Sequence, residues 1–321
     1  MTLRVAILDD YQAVALQLAD WASLGRDVAV SVFNAPFADE AAAATALAEF
    51  DILCLMRERL ALSASLIRRL PMLKLVVVTG GRTRTIDLEA AVAQGITVCH
   101  THPGQSGTAT PELAWGLILS LARCIPTEDR NLRTGQWQQT LGETIAGKTL
   151  GLLGLGKLGR AMVPVARAFG LDVIAWSPNL TQDRANEVGI QAVSKEYLFG
   201  TADIVSLHLV LGDSTRGIVG AREIGMMKPG AMLINTSRGP LVDEPALLAA
   251  LQAGRIRAGI DVFAIEPLPA DSPWRHAPNT VLTPHLGFVT RAAYEAFYHD
   301  AVEDIAAWRA GRPVRVLAAP S

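Results

Sequence analysis

The sequence has few cysteines and little surplus charge, and it lacks any long apolar run. Three cysteines (Cys54, Cys99 and Cys124) in 321 residues are too few and too scattered for a disulfide framework or a zinc site. Each lies in or beside an apolar run, the setting of a buried thiol. A formal net charge of −2 gives no electrostatic footprint for nucleic acid or for an anionic membrane. No apolar stretch is long enough to span a bilayer, and Leu113–Cys124 falls short. The chain enters a strand at Leu3–Leu8, which leaves no room for a signal peptide. The histidines His100, His102, His208, His276 and His299 form no converging ligand set, so no metal is expected. These absences predict a soluble, cytoplasmic protein. What is present is a chain that is 50% hydrophobic, long enough for two domains with a large buried core.

Short apolar runs alternate with helical patterns along the whole length. In the first hundred residues the runs are Val5–Leu8, Val28–Val32, Ile52–Leu55, Leu75–Val78 and Thr97–Cys99. Helices are predicted at Ala13–Trp21, Asp39–Glu49, Ser63–Arg69 and Ile86–Ala93. A longer helix is predicted from Thr110 as N-cap, with Pro111 in its first turn. Pro126–Gly147 is polar and uneven, and two readings stand: an arm that reaches across a subunit partner, or a surface loop carrying one packed tryptophan, Trp137. From Thr149 the alternation resumes, with strands at Thr149–Leu153, Asp172–Trp176, Ile204–Leu207, Met232–Asn235, Ala258–Ile260 and Val281–Thr283. A final helix runs from about Arg291 to Trp308 and closes with Gly311 and Pro313. Such alternation predicts an α/β protein of two Rossmann-like, doubly wound parallel-sheet domains with a cleft between them. The turn-rich stretch His100–Gly107 marks the break. It divides a substrate (catalytic) domain, residues 1–103 plus 290–321, from a dinucleotide-binding domain, residues 104–289.

The stretch Gly154-Leu155-Gly156-Lys157-Leu158-Gly159 organises the second domain. An apolar strand precedes it and a helical pattern follows, the setting in which GxGxxG has meaning. Gly154 permits a tight turn, Gly156 lets a pyrophosphate approach the backbone, and Gly159 lets helix pack on strand. The helix N-terminus then offers N–H groups and a positive dipole end to the phosphates. Three further polar groups follow apolar strands, where ligands bind in open α/β sheets: Arg238, Glu266 and His285. Each alone has a plain structural explanation, and together they form a coherent acid–base set.

Four ordered motifs resemble the D-isomer-specific 2-hydroxyacid dehydrogenases, including glyoxylate and hydroxypyruvate reductases. They are the glycine turn, Asn235-Thr236-Ser237-Arg238-Gly239-Pro240-Leu241-Val242-Asp243-Glu244, Gly259-Ile260-Asp261-Val262-Phe263, and Thr283-Pro284-His285-Leu286-Gly287. The resemblance implies hydride transfer between NAD or NADP and a small 2-keto or D-2-hydroxy acid, with a homodimer as the assembly. It implies that Arg238 clamps the substrate carboxylate, as its planar fork suits. His285 would be general acid in reduction and base in oxidation, since histidine titrates near working pH. Glu266 would hydrogen-bond and orient the imidazole and favour its protonated form. Cofactor contacts are implied at Gly154, Gly156, Lys157, Leu158, Gly159, Ser177, His208, Val210, Thr236, Asp261 and Gly287. Asp261 would lie near the nicotinamide carboxamide; its plain alternative is a strand-end turn.

The sequence also departs from the family's pattern. Ser177 stands where NAD enzymes commonly place an acid that binds the ribose 2′-hydroxyl, so a repulsion against a 2′-phosphate is gone and both cofactors stay open. Val210-Leu211-Gly212-Asp213 replaces a commoner proline-containing loop, and Phe288 stands where small residues are frequent. In the first domain, Gly80 and Gly81 would offer backbone N–H groups to the substrate carboxylate. Arg57, Arg59, Arg82 and Arg84 nearby read either as a solvated rim or as recognition of a second anionic group, with Arg57 and Arg82 as the substrate-binding candidates. Phosphite oxidation on the same fold and a non-catalytic NAD(H)-sensing protein are the alternative functions.

Overall fold

The computed structural model describes residues 2–81, 84–104 and 106–317. The chain divides into two compact units, Met1–Gln105 with Thr290–Ser321, and Ser106–Val289. In chain order the first unit runs β1 (Leu3–Ile7), α1 (Ala15–Leu18), β2 (Val28–Val32), α2 (Glu40–Leu47), β3 (Ile52–Leu55), α3 (Ala64–Arg68), β4 (Leu75–Val78), α4 (Leu88–Ala93) and β5 (Thr97–His100). The second runs α5 (Ser106–Ala122), α6 (Ile125–Arg133), β6 (Thr149–Leu153), α7 (Lys157–Ala168), β7 (Asp172–Trp176), α8 (Gln182–Asn186), β8 (Gln191–Ala192), α9 (Lys195–Thr201), β9 (Ile204–Leu207), α10 (Ala221–Met226), β10 (Met232–Asn235), α11 (Glu244–Gln252), β11 (Arg257–Ile260) and β12 (Thr280–Leu282). Helix α12 (Arg291–Arg309) returns the chain to the first unit.

Among the described residues the first unit holds a five-stranded sheet in the order β2-β1-β3-β4-β5, and the second a seven-stranded sheet in the order β12-β11-β10-β9-β6-β7-β8. All the named strands pair in parallel. Strands β3, β4, β9 and β10 are buried along their whole length, which is why they read as unbroken apolar runs rather than alternating ones. In the second sheet β6 lies between β7 and β9, with Leu153 paired to Trp176 on one side and Leu207 on the other. In the first, β1 lies between β2 and β3. The strand order reverses at both places, and beyond the carboxyl ends of such strands doubly wound sheets bind ligands.

Local chemistry starts many of the helices. Asp39, Ser63, Asp87, Thr181, Ser194, Asp243 and Thr290 each accept a backbone N–H from the first turn they cap, satisfying a donor that would otherwise be orphaned.

Several sequence expectations need correction. The helix expected over Ala13–Trp21 is cut to Ala15–Leu18, because Ala13 is left-handed at φ 55° and the Asp10 carboxylate takes the Val14 and Ala15 N–H groups. Helix α5 starts at Ser106, so Thr110 is inside it and is not its cap. The polar segment after Pro126 begins as helix α6, which buries no residue; with no core-facing stripe, no apolar period announced it. Trp137 is 73% exposed, which rules out the packed-tryptophan reading. Cys54 and Cys99 are buried, but Cys124 is only half-buried.

Candidate active site

The three glycines of the turn after β6 serve three separate purposes. Gly154 is left-handed at φ 109°, and a Cβ there would lie 2.7 Å from the His208 carbonyl oxygen. A Cβ on Gly159 would lie 2.1 Å from the Gly154 carbonyl oxygen, so helix α7 can rest on the turn only with glycine at that place. Gly156, the N-cap of α7, has nothing within 4 Å of the same point. Its face is open, and the first residues of the helix, Lys157 (exposed) and Leu158 (half-buried), follow at the positive end of the dipole.

Two neighbouring strand exits carry polar atoms with nothing to bond. The Thr236 hydroxyl, after β10, and His208 Nδ1, after β9, are buried without a partner among the described residues. His208 Nε2 lies 2.9 Å from the Ser206 hydroxyl, and burial pushes the imidazole down to about 4, so the ring is neutral at physiological pH. Buried polar atoms left unpaired call for an explanation. Together with the open face at Gly156, these two atoms make the residues present a fit for a dinucleotide. Ser177, half-buried, follows β7 with no carboxylate beside it in the sequence, and Val210 is exposed, its carbonyl accepting the Thr215 hydroxyl.

The candidate acid–base groups, Arg238, Glu266 and His285, come from the loops after β10, β11 and β12. Asn235 shapes the first of these. Its side chain donates to the Arg238 carbonyl and accepts the Ser237 N–H, while the Ser237 hydroxyl donates to the Leu207 carbonyl. A Cβ on Gly239 would lie 2.2 Å from the Phe263 carbonyl carbon, so this glycine allows the Arg238 loop to lie directly on the loop that carries Glu266. Glu266 Oε1 accepts the Phe263 N–H at 2.8 Å, and Oε2 lies 2.6 Å from His285 Nδ1. Burial works to raise the Glu266 carboxyl. The hydrogen bond and charge of His285, the Phe263 N–H and the Arg238 guanidinium outweigh it and hold the group below the usual carboxylate range. With Nδ1 engaged, Nε2 is the ring nitrogen that a substrate can meet. Arg238 Nη1 donates to the Ser237 carbonyl at 2.7 Å. The His285 ring meets Phe288 edge-on, with ring centres 5.6 Å apart.

His285 is itself left-handed, at φ 55°, a conformation that costs a bulky residue about 1–3 kcal/mol and persists only where its surroundings enforce it. Asp261, fully buried, does much of that. Its carbonyl accepts the His285 N–H at 2.8 Å. Its carboxylate accepts the Thr283 hydroxyl at 2.6 Å, the Leu286 N–H at 2.7 Å and the Gly287 N–H at 3.0 Å. Burial raises this carboxyl against the pull of those donors and of His285. Among the described residues the contacts of Asp261 are those that shape the turn carrying His285.

The first-unit candidates also sit at strand ends. Gly80 is left-handed at φ 84°, and a Cβ there would lie 2.2 Å from Arg57 Nη1, so the guanidinium lies over a glycine that cannot be replaced without moving it. The Thr79 hydroxyl accepts the Arg57 N–H, and the Thr101 hydroxyl accepts that of Gly80. Gly81 is exposed with open space where its Cβ would be. Arg59 donates to the Asp9 carbonyl at 2.8 Å and stacks on the Tyr11 ring, 4.3 Å from its centre. Arg82 lies outside the described residues. Asp9 and Tyr11 were not singled out from sequence; their position just past β1, at the reversal of strand order, is the signal that would have found them.

Comparison with known proteins gives the family of the chain. Residues 115–287 match the family model described as D-isomer specific 2-hydroxyacid dehydrogenase, NAD binding domain. Over 308 residues the chain is 35% identical to a D-3-phosphoglycerate dehydrogenase of Mycobacterium bovis, covering 95% of this chain and 57% of that protein. It is 36% identical over 256 residues to a glyoxylate reductase of Thermococcus litoralis, covering 77% of each. A crystal structure described as a phosphoglycerate oxidoreductase from Vibrio cholerae superposes with a TM-score of 0.91 at 36% identity, over 97% of this chain and 100% of that one. The chain spans about half the length of the phosphoglycerate dehydrogenases it matches. With the family model covering the glycine turn and Arg238, Glu266 and His285, this chain belongs to the D-isomer specific 2-hydroxyacid dehydrogenases, and its second unit carries their NAD-binding domain.

Proposed function

We propose that the protein transfers hydride reversibly between NAD(P)H and a small 2-keto acid, giving the D-2-hydroxy acid. The observation that carries this reading is the 2.6 Å His285–Glu266 pair, in a loop cluster where the charge of Arg238 reaches Glu266. Bound nicotinamide supplies the hydride in reduction and receives it in oxidation. Arg238 binds the substrate carboxylate through its planar fork. His285 Nε2 gives a proton to the keto oxygen in reduction and takes it back in oxidation. Glu266 fixes the ring through Nδ1 and balances the imidazolium charge. Gly154, Gly156 and Gly159, with the first N–H groups of α7, hold the pyrophosphate. Ser177 leaves room for a 2′-phosphate, and Arg184 Nη1 lies 3.5 Å from the Asn179 carbonyl on the same loop, so NADPH is admitted beside NADH.

Arg57 lying over Gly80 and Arg59 fixed on Tyr11 favour a second reading within the same chemistry, a substrate with a second anionic group. Phosphohydroxypyruvate represents that class. The partner we assign is a second copy of the chain. Leu132, Trp137 and Leu141 are 59%, 73% and 98% exposed on a segment tied down by Glu128, which accepts the Gln139 and Thr140 N–H groups. Sedimentation of wild type and Trp137→Asp tests this assembly: a dimer that the substitution splits is expected, and a wild-type monomer contradicts it.

The functional test is initial-rate oxidation of NADH and NADPH, in parallel, against glyoxylate, hydroxypyruvate, pyruvate, phenylpyruvate and phosphohydroxypyruvate. Turnover with at least one acid, abolished in His285→Ala, is the expected result. Tight cofactor binding with no acid reduced overturns the reading in favour of a sensor, and oxidation of phosphite alone overturns it in favour of that chemistry.

A further inference from the structure

We propose that Thr110 of α5 is a positioning residue for the acid–base histidine, acting through the backbone of Gly287; the inference rests on His285 having the role proposed above. The left-handed His285 needs its loop held, and the loop is held from two directions. From β11, the Asp261 carboxylate accepts the Leu286 and Gly287 N–H groups. From α5, the Thr110 hydroxyl donates to the Gly287 carbonyl at 2.8 Å, in a buried bond. Gly287 is therefore gripped at both its N–H and its C=O. A Cβ there would lie 3.2 Å from Asp261 Oδ2 and 3.3 Å from Thr110 Cγ2, so the two grips close tightly over one residue and a side chain there would press on both.

The Thr110 hydroxyl reaches a residue 177 positions away in the chain, a contact beyond the local back-bonding and capping open to a threonine in a helix. The same end of α5 meets the glycine turn as well: a Cβ on Gly107 would lie 2.6 Å from Lys157 Cε. The start of α5 thus touches the phosphate-binding turn through Gly107 and the catalytic loop through Thr110. Through Thr110 this end of α5 holds the His285 loop from the side opposite Asp261. Misplacing a reacting group by a fraction of an ångström is costly in rate even when binding is intact.

The test compares Thr110→Val, which keeps the branched shape and deletes the hydroxyl, with Thr110→Ser, which keeps the hydroxyl. Amide hydrogen exchange at Leu286 and Gly287, measured without substrate or cofactor, reads the grip directly. In Thr110→Val exchange at Gly287 rises about tenfold. In the same variant kcat for keto-acid reduction falls about tenfold while the Kd for NADH stays within about twofold. Thr110→Ser restores both. Wild-type exchange in Thr110→Val, or a Thr110→Ser as impaired as Thr110→Val, overturns the proposal. His285→Ala separates the two ideas. If it keeps turnover, the acid–base role falls; if it is dead while Thr110→Val matches wild type in exchange and kcat, the positioning role alone falls.

Discussion

At the carboxyl ends of β1 and β3 Asp9, Tyr11 and Arg59 are engaged with one another, whereas at the corresponding ends in the second unit polar groups find no partner among the described residues. In the first unit Arg59 bonds the Asp9 carbonyl and stacks on Tyr11, whose hydroxyl donates to Asp9 Oδ1 at 3.1 Å. In the second, the Thr236 hydroxyl and His208 Nδ1 are buried with no partner among the described residues, and His285 is tied to Glu266 through Nδ1. Both units are doubly wound parallel sheets, so the fold does not set the difference. A closed network of charge and aromatic contacts can read the charge of a ligand. A half-closed one, with a neutral imidazole and the His285–Glu266 pair, fits the proposal that a cofactor completes it and that it moves a proton.

The largest effect expected to break or uphold this contrast is that of Arg238→Gln. Removing the fork should lower kcat/KM for every active 2-keto acid by about 10³-fold; a loss of less than about tenfold would mean the second unit does not bind the carboxylate. Next comes Gly159→Ala. Its Cβ must displace the Gly154 carbonyl, at a cost of about 1–3 kcal/mol typical of overpacking. Hydrogen exchange should loosen β6 and α7, NADH binding should weaken, and β1 and β3 should stay unchanged. Arg57→Ala should do less, lowering kcat/KM about tenfold for a substrate with a second anionic group and leaving pyruvate within about twofold. Equal effects on both substrates would remove Arg57 from charge recognition.

The smallest effect is a pH dependence of opposite sign in the two units. In the first, burial raises the Asp304 carboxyl to about 7, helped by Asp300 and Glu303 and opposed by Arg315. A carboxyl whose folded pKa lies above its unfolded value contributes stability that is full below about pH 4 and lost as pH rises through about 7. In the second, burial lowers His208 to about 4, so its contribution is full above about pH 6.5 and lost as pH falls towards 4. Asp304→Asn should flatten the pH slope of exchange in β5 and α12, and His208→Asn that in β6 and β9. Unchanged slopes in both variants would contradict the assignment.

Much of this site was legible because its signals are local. The glycine turn declares itself by spacing between an apolar run and a helical pattern, and Arg238, Glu266 and His285 each follow an apolar strand. What was hidden is long-range. Thr110-Pro111-Glu112 has every mark of a helix start, but α5 begins four residues earlier and the hydroxyl serves Gly287 across the unit. No local pattern carries that contact. Helix α6 was hidden for the opposite reason: it buries nothing, and the exposed Ile125 and Leu132 are too sparse a stripe to stand out in a polar segment. The Asp9–Tyr11–Arg59 cluster joins residues fifty positions apart and becomes visible only when β1 and β3 are placed side by side.

The central claim is that His285 and Glu266 act as one acid–base unit, and a double-mutant cycle on kcat/KM tests it most directly. His285→Ala, Glu266→Gln and the double variant would be compared with wild type on a reduced 2-keto acid. Residues that act as a unit are strongly non-additive. The account predicts that Glu266→Gln costs about 10²-fold alone and almost nothing once His285 is gone. A Glu266→Gln loss that persists in full in the His285→Ala background would show two independent groups and contradict it.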